Sequence, residues 1–251
     1  MDGTMVILSG AKRSRRNSFY KESMKAGTLF LLVLIVASFP MHAQKTVEDR
    51  VAEFGAVADK RLKLLFEAKG IPYPPAKVTL IGLKQEGFLQ VYAAGPNGKF
   101  AHIRTFPILA ASGGLGPKLR EGDGQVPEGI YRIESLNPNS RFHLSLRVNY
   151  PNAFDRQMAK AERRIKLGGD IMIHGNRVSI GCLAMGDPVA EDLFVLAAKA
   201  GLKNISVILT PVDFRVRELP PGTEGLPVWT KDLYRSIRQE LKKYPYPSKS
   251  N

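Results

Sequence analysis

The chain has 251 residues, with 37 Lys/Arg against 23 Asp/Glu for a formal net charge of +14, and only one cysteine and four histidines. One cysteine excludes an internal disulfide, and one thiol with four imidazoles argues against a structural metal centre. The length suits one domain with extensions.

Lys12, Arg13, Arg15, Arg16, Lys21 and Lys25 precede an apolar run over residues 29–39 that ends near Pro40-Met41-His42-Ala43. This is the layout of a secretory signal peptide spanning residues 1–43, with cleavage after Ala43 and a periplasmic destination. The run is about a dozen residues, short of the roughly 20 that a spanning helix needs. An uncleaved N-terminal anchor is the alternative, because the basic lead is long and Met41 is a poor small residue for the cut. The leader holds six Lys/Arg and two Asp/Glu, so the remaining 208 residues carry 31 basic and 21 acidic residues, a net of +10. Outside the cytoplasm such a balance suits membrane phosphates, wall polymers or carboxylate-bearing peptides rather than nucleic acid, or it serves solubility alone.

Residues 44–75 form the expected N-terminal helical extension. Thr46 and Asp49 make a capping box, and Val47, Val51, Phe54, Ala58, Leu62, Leu65 and Phe66 recur at helical spacing until Gly70 and Pro72. Strands are expected over residues 78–83, 88–94 and 100–109, with a turn at Gly95-Pro96-Asn97-Gly98. Residues 112–129 are too rich in glycine for a regular element. They match no phosphate-binding fingerprint, so no nucleotide or other cofactor is expected, and the segment reads as a cleft wall, a lid or a surface loop. Strands over 130–136 and 142–148 flank an expected Asn137-Pro138-Asn139-Ser140 turn, and residues 151–167 read as a charged helix. A short strand over 170–173 delivers His174. Asp187-Pro188 starts a helix that runs to Ala200, and 205–209 is the last strand. These elements run from residue 76 to residue 211. The C-terminal extension, 212–251, ends in a helix with a Trp229, Leu233, Ile237, Leu241 stripe opposite Lys231, Arg235, Arg238, Lys242 and Lys243. This helix is expected to pack back on the domain, with contact to a membrane or wall surface as the alternative.

The chemistry concentrates in the run from Ile173 to Met185. A free thiol is only a few per cent ionised near neutral pH, so a nucleophilic Cys182 needs an imidazole to take its proton and hold it as an ion pair. His174 meets that need if the loop between them doubles back. Gly175 and Gly181 let backbones approach, and amides near Cys182 are candidates to hold an oxyanion. Without further information, an inert buried cysteine beside an ordinary histidine is the competing reading. No particular pair of carboxylates stands out for glycoside hydrolysis.

The string Ile173-His174-Gly175, followed by Ser179-Ile180-Gly181-Cys182, resembles the active-site motif of the YkuD-type L,D-transpeptidases, exported cysteine acyltransferases that act on peptidoglycan. Leu115-Gly116-Pro117-Lys118, Glu121-Gly122-Asp123-Gly124, Pro127-Glu128-Gly129, Phe142-His143-Leu144-Ser145-Leu146 and Asn149-Tyr150-Pro151-Asn152 are similar to the YafK-like (ErfK/YbiS/YcfS/YnhG) branch. The resemblance spans residues 76–211. It implies a mainly β fold, a curved sheet or sandwich with peripheral α-helices, which agrees with the strands read above. It also implies Cys182 as nucleophile, His174 as base, the Gly175 carbonyl as the group orienting the imidazole, and Ser179 and Gly181 as shapers of the nucleophile loop. Lys118, Arg120 and His143 are candidate cleft residues, the basic pair suiting substrate carboxylates. The commoner family pattern has a second histidine two residues before the cysteine, where Ile180 stands here. The implied partners are peptidoglycan stem peptides and a peptidoglycan-linked lipoprotein, and the implied reaction runs through a Cys182 thioester resolved by an amine or by water. Hydrolytic release of lipoprotein or peptide, and a non-catalytic wall-binding role, are the alternatives.

Overall fold

The computed structural model describes residues 44–221 and 225–247, and the expected signal segment lies outside them. Helix α1 (Val47–Glu67) opens on the expected capping box, with Thr46 and Asp49 satisfying each other's backbone amides. Strands β1 (Val78–Leu83), β2 (Phe88–Ala94) and β3 (Phe100–Pro107) form an antiparallel meander. The short β4 (Ala110–Ala111) leads into the glycine-rich loop. Then follow β5 (Gly129–Ser140), β6 (His143–Val148), α2 (Ala153–Ala161), β7 (Met172–His174), β8 (Leu183–Ala184), α3 (Asp187–Ala200), β9 (Ile205–Thr210) and α4 (Thr230–Leu241). The fold is mainly β.

The nine strands lie in the order β3-β2-β1-β9-β5-β6-β7-β8-β4. Strand β5 joins the two halves: residues 129–132 pair with β9, and the rest of the strand pairs with β6. Ile133 pairs with Val148 but Ser135 with Arg147, so Glu134 is an extra residue. A bulge of this kind bends and twists a strand, and here it turns the sheet between its halves. The strand also carries through the expected turn at 137–140, because a second register shift between Asn137 and Ser140 absorbs Pro138. The helix expected over 151–167 is shorter, ending at Ala161, where Arg163 adopts a left-handed φ of 55°.

Strand β1 is buried along its whole length because both sheet faces are covered. Leu80, Leu89, Val91, Val207 and Leu209 face the main core with Leu62, Phe66, Leu193 and Phe194 of α1 and α3. The alternate residues Ile81, Leu83, Tyr92 and Ile208 face Val212, Leu233, Ile237 and Leu241. The α4 stripe therefore packs back on the sheet, and the described residues form one compact unit. A boundary at 211 divides this core.

Candidate active site

Strands β7 and β8 build the site. They pair in parallel, Ile173 opposite Leu183 and His174 opposite Ala184, so Cys182 arrives beside Met172. The Cys182 Sγ accepts from the Met172 amide at 3.4 Å and donates to the Asp170 carbonyl at 3.5 Å. Burial pushes the thiol above its ordinary value; the Met172 amide opposes that, the Asp170 charge adds to it, and the Lys118 charge opposes it.

His174 is 2% exposed, and its ring lies against Phe142 with centroids 4.8 Å apart. Its Nδ1 meets the Gly175 carbonyl at 2.6 Å. A carbonyl can only accept, so Nδ1 carries the hydrogen and Nε2 keeps a lone pair for a proton. Burial lowers the imidazole's pKa, and the Gly175 carbonyl partly restores it. Among the described hydrogen bonds none joins His174 to Cys182. Both shifts favour neutral partners, which revises the expected resting ion pair to a thiol and an imidazole.

The nucleophile loop is held by two hydroxyls. Ser179 Oγ accepts from the Cys182 amide at 3.0 Å and donates to the Cys182 carbonyl at 2.6 Å. Gly181, at φ 81°, donates its amide to Ser112 Oγ at 2.6 Å, while Ser112 Oγ donates to the Gly124 carbonyl at 2.6 Å. The amides of Gly181 and Cys182, near-thiol candidates to hold an oxyanion, thus donate to hydroxyls. Ser112 also ties the glycine-rich loop to the nucleophile loop, which makes the former a wall of the site.

That wall is locked from behind. Glu128 Oε1 takes hydrogen bonds from Lys84 Nζ at 2.9 Å and from the Gly116 amide at 2.8 Å, and its Oε2 takes one from Tyr234 at 2.7 Å. Lys84 Nζ also donates to the Gly116 and Val126 carbonyls. Burial lowers the Lys84 pKa, opposed by the Glu128 charge. A cation so placed depends on its acid.

The three expected cleft residues are placed differently. Lys118 is buried and fastened to Asp123 Oδ1 at 2.5 Å and to the Arg120 carbonyl at 2.9 Å, so it braces the loop while its charge reaches the thiol. Burial raises the Asp123 carboxyl, but the Lys118 bond and amides of Arg120, Leu119 and Gln125 outweigh it and hold the group ionised. Arg120 exposes its side chain and contributes backbone to this brace. His143 points at the helices: Nε2 meets Glu191 at 3.1 Å and its ring lies edge-on to Phe54. Its Cβ instead backs onto Gly175, where any added Cβ would meet Asp187, the Phe142 carbonyl and His143 within 3.0 Å. Ser112, Phe142 and Met172 are the contributors that spacing does not mark. Strand pairing and the loop's return bring them in from remote positions.

The pairing of β7 with β8 in a mainly β sheet brings a thiol and a buried imidazole to one place, and this pair is the candidate site. Residues 84–223 match the model of the L,D-transpeptidase catalytic domain (YkuD), and the chain belongs to that family. It is 34% identical over 133 residues to YafK of Escherichia coli (strain K12), a protein with an L,D-transpeptidase name, covering 51% of each chain. The chain spans about half the length of the curated relatives it matches. Among solved structures, it is similar to the helical cell shape determining protein Pgp2 from Campylobacter jejuni, at 24% identity and a TM-score of 0.44 over 55% of this chain and 48% of that one. It is also similar to Bd1075 of Bdellovibrio bacteriovorus, at 22% identity and a TM-score of 0.40 over 66% and 55%.

Proposed function

We propose that the protein is an exported cysteine acyltransferase of peptidoglycan stem peptides, with Cys182 as nucleophile and His174 as base. The observation that carries this reading is the His174 tautomer. With Nδ1–H held by Gly175, the lone pair at Nε2 is available on the strand next to the thiol. Catalytic hydrogen bonds commonly tighten only when substrate binds, so the neutral resting pair suits general-base attack. The thiol proton passes to Nε2 as sulfur bonds to the carbonyl carbon of a diaminopimelate-type residue. Nε2 then returns the proton to the leaving amine as the C–N bond breaks, and a thioester remains. An incoming amine or water reverses these proton movements and frees the thiol.

Family membership supports the reaction class, and the leader-like residues 1–43 support export to the periplasm. Ile180, 86% exposed, stands where the commoner pattern has its second histidine. The other described histidines are engaged elsewhere, His102 with Thr105 and His143 with Glu191. The acceptor side therefore has no second imidazole among the described residues, and we read this as favouring water over a bulky amine, whether a stem peptide or a lipoprotein is attached. The outward basic residues of α4 suit contact with an anionic wall or membrane surface.

Incubation of the purified protein with wall fragments, read by mass spectrometry, tests both points. Released products with a free carboxylate at the former linkage are expected, and none from Cys182→Ala. Turnover by a folded Cys182→Ala protein ends the cysteine mechanism; new stem-to-stem cross-links without free carboxylate end the preference for water.

A further inference from the structure

Beside the thiol, on the far side of β7, lies a cleft of about 630 Å³ lined by Lys45, Ser135, Asn137, Arg147 and Met172, among others. It shares Met172 with the thiol, whose Sγ that residue's amide contacts. The strand registers set a row across the sheet, Ser135 opposite Arg147 and Arg147 opposite Met172, with Cys182 next. Arg147 and Cys182 thus stand two inter-strand spacings apart, about 10 Å.

Arg147 is held by two exposed acids. Its Nη1 meets Asp170 Oδ1 at 2.7 Å, and Glu134 Oε2 lies 3.3 Å from Nε. The Nε–H is buried and has no hydrogen-bond partner. The two acids are 77% and 50% exposed, and ion pairs of that kind exchange readily for a better-shaped partner. A carboxylate that engages the guanidinium fork in two places is such a partner. The same acids would then be free to take a cation. One guanidinium flanked by two carboxylates, all beside a nucleophile, matches a group that carries both charges on one carbon.

We propose that this cleft and its Arg147 rim are the subsite for the zwitterionic amino-acid end of the substrate's side chain, with Arg147 binding its carboxylate and the acids paired with Arg147 outside the cleft lining, Asp170 and Glu134, its ammonium group. The proposal rests on the stem-peptide reading above. A diaminopimelate-type residue that offers its carbonyl to Cys182 extends three methylenes to a second centre of this composition. The row from Cys182 through Met172 to Arg147 lies along that extension. The assignment moves carboxylate recognition from Lys118, which is committed to Asp123, to Arg147.

Calorimetry on the full chain carrying Cys182→Ala tests it with two probes, a diaminopimelate tetrapeptide and the same peptide amidated at the side-chain carboxylate. Amidation is expected to weaken binding by about 10- to 100-fold, the range of a charge-assisted bond. Adding Arg147→Ala should weaken the acid peptide by a similar factor and leave the amidated peptide unchanged. Arg147→Gln, which keeps the stem, serves if the alanine variant does not fold, and Arg147→Lys should recover part of the loss. Equal weakening of both peptides by Arg147 substitution, indifference to amidation, or no binding of either peptide overturns the subsite. Turnover by the otherwise unsubstituted protein is followed separately. Turnover without the Arg147 and amidation coupling removes the subsite alone, and coupling without turnover removes the acyl-transfer reading alone.

Discussion

Burial sets the resting charge of Cys182 and His174, and with it the pH behaviour of the site. The thiol is raised above its ordinary 9.0 mainly by burial, so alkylation by iodoacetamide should show a midpoint above pH 9. A midpoint near 6 would restore the resting ion pair. His174 is lowered below 6.5, again mainly by burial, so a base that must be neutral works down to more acidic pH. The acid limb of kcat/KM should therefore have its midpoint below 6.5, as a pH–rate profile would measure. Gly175 has no room for a side chain, because Asp187 Oδ1 lies 2.5 Å and the Phe142 carbonyl 2.8 Å from a Cβ built there. Gly175→Ala should cost about 1–3 kcal/mol in chemical denaturation through overpacking, and should lower activity by displacing the carbonyl that orients His174. The candidate pair Cys182 and His174 was legible in the sequence because thiols and imidazoles are scarce in this chain. Ser112 and Phe142 were not, since a serine and a phenylalanine carry no signal until pairing brings them to Gly181 and His174.

Among the elements, the glycine-rich loop depends most on a single contact network. Glu128→Gln keeps the shape of the side chain but leaves the buried Lys84 ammonium without a counter-charge. That should destabilise the fold by about 3–5 kcal/mol in chemical denaturation, and a second substitution, Lys84→Met, should recover part of it. Helix α2 carries a pH dependence of its own. Asp155 completes the capping box with Asn152 and accepts from Tyr131, yet burial raises its pKa to about 6 against those bonds. A carboxyl raised in the folded state contributes stability that is full below its ordinary 3.8 and is lost as pH rises through about 6. The Asp155→Asn protein should lack this falling limb between about pH 4 and 6, and the difference between the two proteins' stability profiles isolates it. The strand and helix periods were readable locally, and so was the α1 capping box. The bulge at Glu134 and the early end of α2 were not, because the first is set by cross-strand register and the second by backbone turns beyond the helix.

At the scale of the whole molecule, α4 closes a second core against the outer face of β1, β2 and β9. Ile237 is fully buried there, and Ile237→Ala should cost about 2–5 kcal/mol, lowering the single denaturation transition rather than splitting off a separate one. Two resolved transitions would show the C-terminal segment to be an independent unit. By itself the sequence determined the mainly β class, the amphipathic helices, the family and the candidate nucleophile and base, because each depends on residue type, period or short spacing. Only the tertiary structure decided that Lys118 braces a loop, that His143 faces the helices, that the amides of Gly181 and Cys182 are occupied and that Arg147 shares a cross-strand row with Met172 and Cys182. Those facts depend on which strands pair and in what register, and pairing between residues far apart in the chain leaves no periodic trace within either segment.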